Sequence, residues 1–339
     1  MTKIAIIGAG AWGTGLAIAL ARKNRGDILL WAREQEIVDS ILTERVNRLF
    51  LPSQSMPENV VPTTNLAEAV QSAEMVVGVV PSQHCRAIFS TASPHLSDGI
   101  ILVSATKGLE NNSLLRMTEV IRESTHANER QLKVAALSGP SFALEVARGD
   151  PTAVTAASDS AEVSAAVQTT FTDSRFRVYT SNDVIGVELG GALKNVIAIA
   201  AGVCDGLGLG NNSIAALITR GLAEMTRLVV ACGGRAETMS GLAGLGDLVL
   251  TCTGGLSRNR SVGAELGRGR KLEDIIAGMH GAVAEGVFTT NAAIGLALKH
   301  NVEMPITQQM FAILKDGKSP ADAMQTLMSR NTRGEAEPR

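Results

Sequence analysis

Three groups of residues in this sequence have types and spacings suited to chemistry. The first is a lone lysine in an otherwise apolar run, Glu188-Leu189-Gly190-Gly191-Ala192-Leu193-Lys194-Asn195-Val196-Ile197-Ala198-Ile199-Ala200. A helical side chain leans back over the positions three and four before it, here Gly191 and Gly190, so the ammonium overhangs a surface without side chains where a ligand can fit. A desolvated ammonium gives up its proton more readily, which suits a group that must exchange one. Lys194 can instead snorkel or pair structurally, the commoner fate of a lone helical lysine. The second group, Gly241-Leu242-Ala243-Gly244-Leu245-Gly246-Asp247-Leu248, sets three glycines before a single carboxylate. Asp247 either orients Lys194 and stabilises its charged form or caps the helix that follows. The third, Ser257-Arg258-Asn259-Arg260-Ser261, lies near Gly254-Gly255 and gathers two guanidinium groups, an amide and hydroxyls. That composition can grip a phosphate, or it is a solvated basic turn.

A fourth motif stands at the start of the chain, where Gly8-Ala9-Gly10-Ala11-Trp12-Gly13 follows the apolar run Ile4 to Ile7. After a strand and at the start of a helix, Gly8 permits a tight turn, Gly10 lets a pyrophosphate approach the backbone, and Gly13 lets helix and strand pack closely. The helix N-terminus then receives the phosphates. At the end of the second strand, Trp31-Ala32-Arg33 offers a guanidinium fork where an acid would mark a preference for an unphosphorylated ribose, although Glu34 is adjacent. This favours NADPH, with NADH also accepted. Pro81-Ser82, Lys107 and Ser138-Gly139-Pro140-Ser141 follow the third, fourth and fifth strands, at the carboxyl ends where open parallel sheets bind ligands. Lys107 can bind a carbonyl or phosphate oxygen there, or be a solvated loop lysine.

The elements that must position these residues change character along the chain. Runs rich in β-formers recur at Lys3 to Ile7, Asp27 to Trp31, Met75 to Val80, Ile100 to Ser104, Lys133 to Leu137, Thr152 to Ala156 and Arg175 to Tyr179, mostly separated by helical periodicity. Near-continuous apolar strands alternating with helices predict a mainly parallel sheet covered on both faces. From about Val187 the pattern becomes Ala-, Leu-, Gly- and Met-rich with a period near 3.6, without a convincing strand. The fold class is therefore α/β: an N-terminal Rossmann-like doubly wound sheet over residues 1–185, followed by an all-α C-terminal domain over 186–339. A length of 339 residues agrees with two cores.

Composition narrows the remaining classes. With 31 basic against 33 acidic side chains, no charge excess drives binding to nucleic acid. The apolar start runs straight into glycines, as a strand does and a signal peptide does not. The apolar stretch from Val196 to Cys204 is far short of the roughly 20 residues of a spanning helix, so no integral membrane association is expected. The cysteines at 85, 204, 232 and 252 are dispersed and read as small buried hydrophobes, while the five histidines show no regular pairing, so no metal site is expected.

The segments IGAGAWGTGLA, LWAR, VVPSQ, ATKGLE, LSGPSFALEVA, IGVELGGALKNVIAIAAG, ALITRGLAEM, GLAGLGDLVLTCT and SRNR occur in this order, and the chain from residue 4 to about 325 closely resembles bacterial NAD(P)-dependent glycerol-3-phosphate dehydrogenases. The resemblance implies that Lys194 gives a proton to dihydroxyacetone phosphate and takes one from glycerol 3-phosphate, with Asp247 beside it. It places Lys107, Gly139 and Ser141 at the substrate, with Ser257, Arg258 and Asn259 at its phosphate. It places Ala11, Trp12, Arg33, Phe50, Lys107, Ala143, Arg258, Val283 and Glu285 at the cofactor, besides Gly8, Gly10 and Gly13. Ala11 departs from the family, which often has serine there; a hydroxyl near the pyrophosphate is lost and the backbone N–H is kept. The resemblance further implies a homodimer in the bacterial cytoplasm that supplies glycerophospholipid synthesis under feedback by its product.

Two other readings compete. A 3-hydroxyacid or 6-phosphogluconate type dehydrogenase also joins such a nucleotide domain to a helical domain with a glycine-glycine-x-x-lysine helix, but SRNR and GLAGLGDL argue against the hydroxyacid version. A non-catalytic NADPH-binding sensor would keep the fold without turnover, yet it needs neither Lys194 nor Asp247.

Overall fold

The computed structural model describes residues 3–23, 26–279, 284–331 and 334. The chain forms two compact units, one of residues 1–107 with 115–188 and the other of residues 108–114 with 189–339.

Among the described residues ten strands occur, all in the first unit: β1 (Ile4–Ile7), β2 (Ile28–Trp31), β3 (Val46–Asn47), β4 (Leu51–Ser55), β5 (Val60–Thr63), β6 (Met75–Gly78), β7 (Ile101–Ser104), β8 (Lys133–Ser138), β9 (Thr152–Ala157) and β10 (Phe176–Ser181). Eight of them build one sheet in the order β10-β9-β8-β7-β6-β1-β2-β5, and β3 with β4 makes a separate hairpin. The seven strands read from the sequence all lie in the large sheet. Each pairs in parallel except β8 with β9, which are antiparallel, so the doubly wound pattern carries one reversed step. The sequence reading omitted β5 and the hairpin. β5 is an edge strand containing Pro62, where a missing N–H is tolerated.

Among the described residues, the helices that accompany this sheet are α1 (Ala11–Lys23), α2 (Gln35–Glu44), α3 (Leu66–Val70), α4 (Cys85–Ala92), α5 (Met117–Ser124), α6 (Ala143–Arg148) and α7 (Ala161–Phe171). Because alternate strand residues point to opposite faces, Ile4 and Ile6 of β1 enter one buried cluster while Ala5 and Ile7 enter another. Burial on both faces explains why the strand reads as unbroken apolar sequence.

The second unit holds α8 from Leu189 onward (the whole helix is Val184–Gly206), α9 (Asn211–Ala231), α10 (Ala236–Met239), α11 (Asp247–Thr253), α12 (Arg258–Gly267), α13 (Leu272–Ala277), α14 (Glu285–Lys299), α15 (Pro305–Lys315) and α16 (Pro320–Met328). No strand occurs among its described residues. At 23 residues, α8 is long and apolar enough to cross a bilayer, which corrects the count made on residues 196–204 alone; 94% of its most apolar window is buried inside the fold, as in a core helix. It meets α12 at a glycine seam: a Cβ on Gly202 would lie 2.0 Å from the Arg260 carbonyl oxygen, and one on Gly263 2.0 Å from that of Ile199.

α9 and α15 are joined by a buried carboxylate. Glu224 accepts hydrogen bonds from the Ile306 and Thr307 N–H groups at 2.7 and 3.3 Å, where α15 begins. Burial pushes its carboxyl up to about 7, while those N–H groups and Arg227 pull it down. The folded state then holds more protons than the unfolded chain between the ordinary glutamate value of 4.5 and about 7. The contribution is fully present below the lower value and is lost as pH rises through the upper one. Glu224→Gln removes that titration. Relative to the parent, its stability in urea unfolding should improve by up to about 3 kcal/mol between pH 5 and pH 8; a pH-independent difference would refute the assignment.

Candidate active site

In the first unit, Gly8 follows β1 with φ +114°, and a Cβ there would lie 2.8 Å from the Val79 carbonyl oxygen. Gly13 sits so close beneath the turn that a Cβ would meet the Gly8 carbonyl oxygen at 1.8 Å. Gly10 differs, because nothing lies within 4 Å of the position its Cβ would take. Packing therefore does not demand glycine at position 10, whereas a group approaching the backbone does. α1 starts at Ala11, so the N–H groups of its first turn face the same opening. Trp12 Nε1 is buried without a hydrogen-bond partner, and Trp12 and Phe50 pack half-buried on the same core cluster. Ala143 opens α6 against α1, 2.8 Å from the Cβ that Gly15 lacks. These residues fit a dinucleotide.

Arg33 follows β2 and is exposed, and its Nε and Nη2 donate to the Glu34 carboxylate at 2.9 and 2.6 Å. At the carboxyl ends of β7 and β8, the Lys107 ammonium donates to the Gly139 carbonyl at 2.8 Å and to Ser141 Oγ at 3.3 Å, and Ser141 Oγ donates to the same carbonyl at 2.9 Å. Gly139 has φ +142°, and a Cβ there would press to 2.9 Å from Val154 Cα. The three residues thus form one cluster, and Lys107 is a half-buried, held cation rather than a solvated one.

In the second unit, Lys194 is 5% exposed on α8, and its Nζ lies 3.0 Å from Asp247 Oδ1. It donates to Thr251 Oγ1 at 2.6 Å, which in turn donates to the Asp247 carbonyl at 2.6 Å. The glycines before Asp247 form a π-helical turn, Leu242–Gly246, of a kind that often marks functional sites. Gly246 occupies the cap position of α11 without a side-chain cap bond, and Asp247 opens the helix with its carboxylate on Lys194. Between the two sequence readings of Asp247, the geometry gives the ion pair. Cys252 is buried nearby, and burial pushes its thiol up to about 12 while Lys194 draws it down, which leaves an unreactive sulfur.

The neighbouring residue of α8 forms a second junction. Asn259 Nδ2 donates to Asn195 Oδ1 at 2.9 Å, and the Gly286 N–H at the start of α14 donates to Asn259 Oδ1 at 2.9 Å. Ser257 is buried and caps α12 by accepting the Arg260 N–H at 3.2 Å. Arg258 is exposed as a residue, yet packing around its guanidinium desolvates it and lowers its pKa from the ordinary value, an effect opposed by the charge of Glu285. Val283 lies outside the described residues. Among the described residues, no cluster of three or more His, Cys, Asp or Glu side chains is placed to hold a metal ion.

The chain matches two family models, the NAD-dependent glycerol-3-phosphate dehydrogenase N-terminus over residues 3–164 and its C-terminus over residues 183–325. It belongs to that family. A protein of Koribacter versatilis named glycerol-3-phosphate dehydrogenase [NAD(P)+] is 65% identical, with 97% of this chain and 98% of the relative covered. One of the same name from Acidobacterium capsulatum is 53% identical over 99% of this chain and its own full length. The crystal structure of glycerol-3-phosphate dehydrogenase from Coxiella burnetii superposes with a TM-score of 0.92 at 42% identity, covering 97% of this chain and 99% of that one.

Two residues at these junctions escaped the sequence reading. Thr251 stands one helical turn after Asp247, so an i,i+4 count from the carboxylate would have found it. Asn195 follows Lys194 as a second polar residue in an apolar run. Thr251→Val keeps the side-chain shape and removes the hydroxyl, so Lys194 loses a charge-assisted hydrogen bond of about 1.5–3 kcal/mol. Turnover by this family member should fall roughly 10- to 100-fold with cofactor affinity unchanged by fluorescence titration; unchanged turnover would show that the hydroxyl does not support the lysine.

Proposed function

We propose that this chain reduces dihydroxyacetone phosphate to sn-glycerol 3-phosphate, reversibly, using NADPH or NADH. The observation that carries the reading is a buried ammonium held by one carboxylate and one hydroxyl, Lys194 with Asp247 and Thr251. It is supported by membership of a family whose relatives are named for glycerol 3-phosphate and NAD(P)+. Residues 1–185 hold the cofactor and residues 186–339 supply substrate binding and acid–base chemistry.

When bound, the nicotinamide supplies hydride to the carbonyl carbon. Lys194 donates its proton to the oxygen that becomes the alcohol, and accepts it back in the reverse direction. Asp247 stabilises the ammonium in the ground state and fixes its direction. Lys107, with Gly139 and Ser141, stabilises the developing negative charge on substrate oxygens. Ser257, Arg258 and Asn259 hold the phosphate, with Arg258 giving the charge-assisted bonds. Gly8, Gly10, Ala11, Trp12 and Gly13 receive the dinucleotide together with Phe50, Ala143, Val283 and Glu285, and Lys107 and Arg258 also touch it. The enzyme acts in the cytoplasm as a homodimer, needs no metal, and supplies glycerophospholipid synthesis.

Arg33 sets the cofactor preference. Its pair with Glu34 is solvent-exposed and worth at most about 1 kcal/mol, so a 2′-phosphate displaces the carboxylate readily. This favours NADPH without excluding NADH.

The test is steady-state reduction of dihydroxyacetone phosphate by the parent and by Lys194→Ala with each cofactor. A fall of about 100-fold or more with cofactor binding kept is expected. Near-normal turnover would transfer the proton step to Lys107 or a water, and a parent that binds NADPH but turns over no substrate would make the chain a sensor. In the same assay Arg33→Ala should lose about 10-fold in kcat/KM with NADPH and little with NADH. Equal losses would remove Arg33 from cofactor choice.

A further inference from the structure

The hairpin β3–β4 takes no part in the large sheet, yet its Asn47 is wholly buried. Asn47 Nδ2 donates to the Ala9 carbonyl at 2.9 Å and to Thr14 Oγ1 at 2.8 Å, and its Oδ1 accepts the Phe50 N–H at 3.1 Å. Ala9 belongs to the glycine turn after β1, Thr14 is the fourth residue of α1, and Phe50 lies in the hairpin loop. One amide therefore spans three elements with all its hydrogen-bonding groups engaged. Its polarity is set by the partners: two acceptors face the nitrogen and one donor faces the oxygen, an arrangement that neither a carboxylate nor an apolar side chain reproduces. The base of the hairpin is fixed separately. Arg45, at φ 56°, donates to the Pro57 and Val60 carbonyls, and the Met56 N–H donates to the Arg45 carbonyl at 2.7 Å. Without Asn47 the strands would still be joined at their base while the loop lost its tie to the turn.

We propose that Asn47 is a positioning residue that locks Phe50 to the glycine turn, so that the dinucleotide cradle is formed before the cofactor enters. The inference rests on the proposed cofactor role of that turn and of Phe50. A preformed cradle spares the ordering of the loop on binding, and the effect falls on both cofactors alike, because Asn47 touches the turn and not Arg33.

The experiment is titration of NADH and NADPH by ligand fluorescence with the parent, Asn47→Ala, Phe50→Ala and the double variant, alongside thermal melting and kinetics with dihydroxyacetone phosphate. Asn47→Ala should weaken both cofactors by about 10-fold, the loss of one or two buried hydrogen bonds. Its KM for dihydroxyacetone phosphate and its kcat at saturating cofactor should stay within about twofold. Because Asn47 acts through Phe50, the double variant should bind much as Phe50→Ala does rather than showing the product of the two losses. A lowered melting temperature with unchanged cofactor affinity, or fully multiplicative losses, would overturn the proposal. If Asn47→Ala does not fold, Asn47→Ser, which cannot span all three partners, carries the same cycle. A parent that binds neither cofactor would overturn the underlying reading as well, whereas a parent that binds beside an unaffected variant overturns this inference alone.

Discussion

A buried ammonium is costly unless opposite charge and hydrogen bonds replace the water it has lost, and even then the pair adds little net stability. Lys194 meets those conditions through Asp247 and Thr251, and much of the second unit serves that match. The carboxylate must stand at one height on a neighbouring helix, its backbone must come close to α8, and the hydroxyl must lie one turn further on. A glycine-rich π-turn, Leu242–Gly246, brings Asp247 in. Gly190 of α8 allows the approach, since a Cβ there would sit 2.7 Å from the Ala243 carbonyl oxygen. Such a pair, costly to assemble and destructive to break, is better explained by chemistry than by stability.

Consecutive residues of α8 point about 100° apart around the helix, so Lys194 and Asn195 address different partners. Lys194 fixes α11, and Asn195 fixes α12 and through it the start of α14. The glycine seam between α8 and α12 keeps that second junction short enough for a direct amide–amide bond. Ser257, Arg258 and Asn259 stand at the N-terminal end of α12, where the helix dipole and free N–H groups favour an anion. Ser257 and Asn259 are committed partly to the fold, whereas Arg258 is exposed as a residue. Of the three, Arg258 is thus best placed to meet a ligand without rearrangement.

The strands that bury both faces were legible because their apolar runs are uninterrupted, as at Ile4–Ile7 and Met75–Gly78. β4 and β5 were not, because Leu51-Pro52-Ser53-Gln54-Ser55 and Val60-Val61-Pro62-Thr63 are polar or proline-containing and lie at edges, where pairing rather than burial defines the strand. The strand β9 was legible, but its antiparallel pairing with β8 was not, because composition reports burial, not direction. Helix length was underestimated where charge broke the apolar count, since Lys194 and Glu188 sit inside α8 and are paired there. In the site, glycines and isolated charges declared themselves. Thr251, Asn195 and Asn47 did not, because an uncharged side chain gains meaning only from the partner that the fold brings to it.

The end of β2 shows how far local chemistry constrains selectivity. Arg33 and Glu34 stand side by side and bind each other, one suited to a 2′-phosphate and the other to ribose hydroxyls. Selectivity is a difference between two affinities, and each tenfold step requires 1.36 kcal/mol. Opening an exposed ion pair withdraws less than that. On the proposed reading, the guanidinium fork gains two charge-assisted bonds with NADPH, while with NADH it simply stays on Glu34. Neither cofactor then leaves a buried charge unpaired, so nothing here rejects NADH in the way a desolvated carboxylate would reject a phosphate. Strong discrimination would need Glu34 buried, and its side chain is 40% exposed.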